Sequence, residues 1–215
     1  MKIIDLTHVI SEDMPVYPGT EGPKLAPANS YEVDGFKETL MTMYTHTGTH
    51  MDPPAHLYKG RTTLDQFPIT QFVGNALVID CTDLKEGDLI KIDRINKVKD
   101  KAAKADFILF RMGWDKYWGT EEYFGDYPYI EDAVVDYLIE NNKKGVGLDV
   151  IGIDPIAHET LPIHRKLFKN NEIVVIENLK DLDLVGDDLF LFCALPIKIV
   201  DADGSPIRAI AILED

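Results

Sequence analysis

Apolar and polar positions divide the chain into two regimes. In the first half, short runs are separated by Pro- and Gly-rich stretches. KIIDLT (residues 2–7) and KETLMTMYT (37–45) read as strands, MPVYPGTEGPKLAP (14–27) as an irregular loop, and NALVIDC (75–81) as a buried strand. In the second half, helical and strand patterns alternate. LIKIDRINKVKDKAAK (89–104) and IEDAVVDYLIENNKKG (130–145) have helical periodicity. The second carries Glu131 and Asp132 at its start, Lys143 and Lys144 at its end, and Gly145 as the expected stop. DFILFRMG (106–113), VGLDV (146–150), EIVVIEN (172–178), DLFLFCAL (188–195) and PIRAIAIL (206–213) supply further strands. Apolar strands interleaved with helices give an α/β class. The expectation is a single domain over residues 1–215, its mixed and partly barrel-like β-sheet flanked by helices.

Charge narrows the functional classes. The chain carries 22 Lys and Arg against 37 Asp and Glu, a formal charge of −15. Such a polyanion is repelled by phosphate backbones and anionic lipid, which argues against nucleic-acid and membrane partners. A small-molecule substrate is the expected partner. Cys81 and Cys193 close two apolar runs and form no CxxC pair, so they read as buried free thiols in a reducing compartment. The N-terminal stretch meets Asp5 early and lacks an apolar secretory core. No run reaches the roughly 18 to 20 apolar residues of a membrane span. A cytoplasmic protein is expected.

Three of the six histidines fall within eleven residues, His46-Thr-Gly-Thr-His50-Met-Asp52-Pro-Pro-Ala-His56. Thr45, Thr47 and Thr49 are β-branched, Gly48 is weak and a Pro-Pro break follows, so the segment is a poor helix. An extended chain would project His46, Gly48, His50 and Asp52 to one face, with Gly48 leaving room between the imidazoles. Asp52 precedes proline, which also favours an extended backbone. Two imidazoles and a carboxylate on an open face suit Zn²⁺, Mn²⁺ or Fe²⁺ with space for water. His56, beyond the Pro-Pro break, fits either a ligand or an acid–base group.

The string HTGTHMDPPAH resembles the signature of the cyclase family of metal-dependent hydrolases, H-x-G-T-H-x-D-x-P-x-H, which includes bacterial kynurenine formamidases and isatin hydrolases. The resemblance extends through DLTHVISEDMPVYPG, RMGWDKYW, GIDP and IVVIENL. It implies that His46, His50 and Asp52 are metal ligands, with Asp52 bridging where two ions are bound, and that His56 is the acid–base residue. Counting from GIDP, it adds His164 and Glu177 as ligands of a second site. His158 competes with His164, at an offset that fits the family less well. Pro162 suits a first helical turn, which puts His164 near a helix start. Glu177 closes an apolar strand, where sites in α/β sheets assemble. His164 and Glu177 are thirteen residues apart, one more than the family spacing, so the extra residue is expected in the turn at Asn170-Asn171.

The resemblance implies a divalent cofactor, Zn²⁺ ahead of Mn²⁺, as one or two ions, and a homo-oligomer, dimer or tetramer. It further implies hydrolysis of small or cyclic amides, as in conversion of N-formylkynurenine and water to kynurenine and formate. A metal ion lowers the pKa of bound water to about 7, and a positioned imidazole such as His56 carries the proton. An esterase or lactonase on the same site, and a metal-binding regulatory protein without turnover, are the alternatives. Two positions depart from the kynurenine formamidase pattern. Tyr17 stands where those enzymes carry a Trp that stacks the substrate ring, and the common R-T-G-W phrase reads Arg111-Met112-Gly113-Trp114. Trp114, Tyr117, Trp118 and Phe36 are candidate pocket walls, although aromatics are more often core.

Overall fold

The computed structural model describes residues 1–214. Its strands, in chain order, are β1 (Lys2–Asp5), β2 (Lys24–Asn29), β3 (Glu38–Thr42), β4 (His50–Asp52), β5 (Val73–Asp80), β6 (Leu89–Ile90), β7 (Phe107–Arg111), β8 (Tyr129–Ile130), β9 (Gly145–Leu148), β10 (Val174–Glu177), β11 (Phe190–Pro196) and β12 (Ser205–Leu213). The α-helices are α1 (Tyr31–Asp34), α2 (Asp93–Lys97), α3 (Lys99–Lys104), α4 (Asp132–Glu140) and α5 (Pro162–Phe168). The main sheet runs β1-β12-β11-β5-β7-β9-β10-β4, and β4 pairs back onto β12. Seven strands thereby close into a mixed barrel, with β1 appended to β12. The strands β5, β7, β9 and β10 are mutually parallel, and the remaining pairings of the ring are antiparallel.

Period-two alternation explains why the central strands read as unbroken apolar runs. On β7, Phe107 and Leu109 join one core with Met51, Ile176 and Phe192, while Ile108 and Phe110 join a second core with Val134, Leu138 and Leu167 of the helices. The first core fills the barrel and the second lies between its outer face and the helices. Crowding inside is severe at β9. A Cβ on Gly147 would meet Leu109 at 2.6 Å and Leu179 at 2.8 Å, so any larger residue would have to displace those core side chains.

Three boundaries differ from expectation. The stretch 89–104 is not one helix. Leu89 and Ile90 pair with Tyr129 and Ile130, and Val98, at φ −122° and ψ 26°, interrupts the helix between α2 and α3. Gly145 does not stop α4, which ends at Glu140 with Asn142 at φ 50°. Instead Gly145 opens β9, where a Cβ would strike Phe107 and Val174 at 2.9 Å. The expected loop at 14–27 enters β2 from Lys24 onward, pairing with β3 through a register shift at Pro27. This β2–β3 ribbon stands off the body. All five residues of β3 are exposed, as are Tyr31, Val33 and Phe36 between the two strands. Cys81 is buried just beyond β5, and Cys193 is half-buried on β11. Burial pushes the Cys81 thiol up to about 12.

Candidate metal centre

Strands β4 and β10 set the base of the site. Their antiparallel register places His50 directly opposite Glu177 and Asp52 opposite Val175. Met51 turns into the barrel, so His50, Asp52 and Glu177 share its outer face. His164 reaches the same point from the first turn of α5, whose N1 position is Pro162, as expected. His50, Asp52, His164 and Glu177 are all buried.

His46 arrives by a different route from the expected alternation. Gly48 has φ +67°, so the chain turns before β4 begins at His50 and the segment 46–52 is not one extended strand. Only a residue without Cβ takes that conformation cheaply. His46 still converges, with Nδ1 2.6 Å from Asp52 Oδ1. Gly204 makes this possible from behind, since a Cβ there would lie 2.5 Å from the His46 ring. His56, on the short 3-10 turn Pro54–His56, packs its ring 4.0 Å from that of His46 and 5.9 Å from that of His164.

Spacing of the donor atoms tests whether this set suits a metal. Each of four pairs lies at 3.4 Å: His50 Nε2 with Asp52 Oδ1 and with Glu177 Oε2, and His164 Nε2 with Asp52 Oδ2 and with Glu177 Oε1. That is long for a charge-assisted hydrogen bond. It matches the ligand–ligand edge of about 3.4 Å that tetrahedral bonds of about 2.1 Å generate. Ligand-competent atoms of His50, Asp52 and Glu177, and separately of His46, Asp52 and His56, lie within 4.8 Å of one another. Asp52 belongs to both groups, with one oxygen toward His46 and His50 and the other toward His164. The donor set therefore fits one or two divalent ions.

Outer contacts fix the ring orientations. Asp154 accepts the backbone N–H groups of Ile163 (2.8 Å) and His164 (3.0 Å), and also pairs with His164 Nδ1 at 2.7 Å. It thus caps α5 from a distance and holds His164 with Nε2 facing the site. His50 Nδ1 donates to the Gly48 carbonyl at 2.9 Å, which frees its Nε2 likewise. The same carbonyl accepts Asn178 Nδ2 at 2.8 Å, and Asn178 Oδ1 accepts the Tyr123 hydroxyl at 2.6 Å.

Charge is balanced internally. Burial opposes ionisation of Asp52, yet the surrounding His46, His50 and His164 hold it well below the usual carboxylate range. Burial likewise disfavours the His46 imidazolium, but Asp52 outweighs it and raises the pKa to about 9. His164 is raised well above the usual value against its burial by Asp154, Asp52 and Glu177. His56 goes the other way. Burial, with His46 and His164 against the pull of Asp52, lowers it to about 4, so it is neutral at pH 7. These shifts mark a site that favours positive charge, the charge a divalent cation would bring on binding.

Above this base opens a cavity of about 610 Å³, walled by Tyr17, Pro15, Val16, Tyr44, Ile151 and Leu161. Tyr17 thus lies where a substrate-facing residue was expected. Trp114, Tyr117, Trp118 and Phe36 do not line it. Trp114 is core, with its indole N–H bonded to the Tyr123 carbonyl, Trp118 stacks on His8, and Phe36 is exposed on the ribbon. His158 lies outside the cavity with its ring against Tyr129. Sequence reasoning missed Asp154, Gly204 and Asn178. Asp154 had a signal in the GIDP phrase; the other two acquire meaning only through distant contacts.

Buried carboxylates and imidazoles spaced as ligands, beside a neutral histidine at the foot of an open cavity, define a metal-dependent hydrolase. Comparison with known proteins agrees with that class. The chain belongs to the Cyclase family, whose sequence model matches residues 4–155. It is 35% identical over 215 residues to an uncharacterized protein of Methanocaldococcus jannaschii, covering 99% of this chain and 100% of that one. A kynurenine formamidase of Geobacillus thermodenitrificans is 31% identical over 208 residues, covering 96% and 95%. Among solved structures, isatin hydrolase A from Labrenzia aggregata, bound to benzyl benzoate, superimposes with a TM-score of 0.86 at 26% identity, covering 98% and 93%.

Proposed function

We propose that the protein hydrolyses small aryl amides in the manner of a kynurenine formamidase, with N-formylkynurenine the nearest substrate. The observation that carries this reading is the 3.4 Å spacing of His50 and His164 from Asp52 and Glu177 beneath a cavity with an aromatic wall. In this reading His46, His50, Asp52, His164 and Glu177 hold one or two divalent ions, Zn²⁺ ahead of Mn²⁺. When bound, such an ion supplies Lewis acidity and water of lowered pKa. His56, neutral and adjacent to the ligands, takes a proton from water and returns it to the leaving amine. Tyr17 stacks the aryl group at the cavity wall. Relatives acting on formylkynurenine and on isatin support an amide or cyclic amide over an ester or lactone. The exposed apolar β2–β3 ribbon supports a homo-oligomer, since an isolated two-stranded ribbon is marginal in water. No helix among the described residues is long and apolar enough to cross a membrane.

The test is elemental analysis of the purified protein followed by turnover of formanilide, N-formylkynurenine, isatin and an aryl lactone. His50→Ala and Asp52→Ala should lose metal and activity together. Full metal occupancy in both variants would refute the ligand assignment, and turnover confined to the lactone would move the enzyme to the esterase class.

A further inference from the structure

The charges around the cavity are one-sided. Among the described residues, neither Lys nor Arg lines it, whereas four carboxylates do: Asp52, Asp154, Glu159 and Glu177. Three of these are engaged. Asp52 pairs with His46, Asp154 holds α5 and His164, and Glu177 accepts the Ile153 N–H at 2.8 Å. Glu159 differs. It is exposed at the mouth and makes no hydrogen bond or ion pair among the described residues.

The backbone that carries Glu159 is pinned on both sides. The His158 N–H donates to the Pro155 carbonyl at 2.8 Å, and the Leu161 N–H to the His158 carbonyl at 2.9 Å. Arg165 Nε donates to the Thr160 carbonyl at 2.8 Å, so this nearby cation is directed to the backbone. Leu161 sits at φ +51°, a left-handed conformation that a residue with a side chain adopts only where its surroundings enforce it. The turn therefore presents Glu159 from a fixed frame that continues into the helix bearing His164. Glu159 and the Tyr17 ring line the same cavity.

Resting on the amide-hydrolase reading, we propose that the cavity selects substrates by charge. It takes neutral aryl amides, favours those bearing an ammonium or amidinium group on the ring edge away from the scissile bond, and disfavours those bearing a carboxylate there. Glu159 is the specificity-determining residue. The physical basis is direct: a ring stacked on Tyr17 presents its far substituent to the mouth, where the unengaged charge among the described lining residues is the Glu159 carboxylate. A distal carboxylate at the mouth finds neither Lys nor Arg among the described lining residues.

The experiment compares kcat/KM of the metal-loaded protein for formanilide, 3-(aminomethyl)formanilide and 3-formamidobenzoate. A single exposed charge pair gives steps of up to about fivefold, in the order ammonium, neutral, carboxylate, and shrinks in high salt. Glu159→Gln should collapse the ammonium-to-neutral ratio to near one, and Glu159→Lys should invert it. Equal or better turnover of the carboxylate by the wild type, or an unchanged ratio in Glu159→Gln, overturns the proposal. If none of the three formanilides is hydrolysed, the amide reading fails, and charge selection is decided by calorimetry with benzylammonium against benzyl alcohol. Tighter benzylammonium binding that Glu159→Gln removes supports it; equal binding of the two by the wild type overturns it.

Discussion

Replacing Asp154 with Asn separates two tasks that one carboxylate performs. Its oxygens accept three hydrogen bonds, one from Ile163 N–H at 2.8 Å and two from His164, at 3.0 Å from the backbone and 2.7 Å at Nδ1. An amide of the same shape has an oxygen on one side only. Turned toward His164, it leaves its NH₂ against the Ile163 N–H, stranding one buried donor at a cost of about 1 to 3 kcal/mol. In a chain of this size, each kcal/mol lowers Tm by about 2 to 4 °C. The opposite orientation strands the His164 backbone N–H and sets the NH₂ against Nδ1, pushing the ring proton toward Nε2, which removes the lone pair that faces Asp52 and Glu177. Either way the bond to Nδ1 loses its charge assistance, and the imidazole becomes a poorer ligand. Loss of such an outer contact typically weakens metal binding about 10- to 100-fold, or 1.4 to 2.7 kcal/mol. Chelator competition on Asp154→Asn would read the affinity, and urea unfolding of the metal-free protein would read the stability. Wild-type affinity with the expected loss of stability would show that Asp154 serves only the helix, refuting the orienting role.

Three further outcomes are expected. His56→Ala should retain metal while kcat falls by about two to four orders of magnitude, and loss of an ion from that variant would make His56 a ligand. Tyr17→Trp enlarges the ring at the cavity wall and should lower KM for N-formylkynurenine; unchanged or weaker binding would exclude this wall as the aryl clamp. The pH dependence of stability should include a contribution from His8, whose ring stacks on Trp118 at 3.8 Å and whose Nε2 is buried without a hydrogen-bond partner among the described residues. Burial, reinforced by Lys180 and opposed by Asp181, lowers His8 from 6.5 to about 4. The unfolded chain therefore binds more protons in that interval, and stability declines as pH falls from about 6.5 toward 4. His8→Phe keeps a stacked ring without the titration, so its urea midpoint should fall less between pH 7 and 5; parallel slopes would contradict this origin.

What the sequence made legible follows from the range of the interactions concerned. Runs such as FILF on β7 announce a strand buried on both faces, because each residue meets one of two apolar cores. His46, His50, Asp52 and His56 announce a site because they crowd eleven residues with ligand chemistry. Alternation failed at Gly48, since sequence shows that glycine permits a left-handed backbone but not that this one adopts it. Gly145 looked like a helix stop because its true constraint, the rings and methyls of Phe107 and Val174, comes from neighbouring strands. Gly204 clears space for a histidine 158 positions earlier in the chain. No local pattern encodes that relation.

The ring of strands is closed by its shortest member. β4 has three residues and joins β10 on one side to β12 on the other, so two of its three side chains, His50 and Asp52, belong to the proposed ligand set at the seam. An ion gripped there acts as a clasp between the early part of the chain and its last strand. Chelation should therefore loosen the seam before the parallel β5-β7-β9-β10 block, giving faster amide hydrogen exchange at Met51 and Ile207 than at Leu109 or Val146. Such a seam should close late, because Met51 pairs with Ile176 and Ser205 across long stretches of chain, whereas the parallel strands pair with near neighbours in sequence. Metal supply would then set how long the newly made barrel stands ajar, exposing strand edges to pairing with other chains.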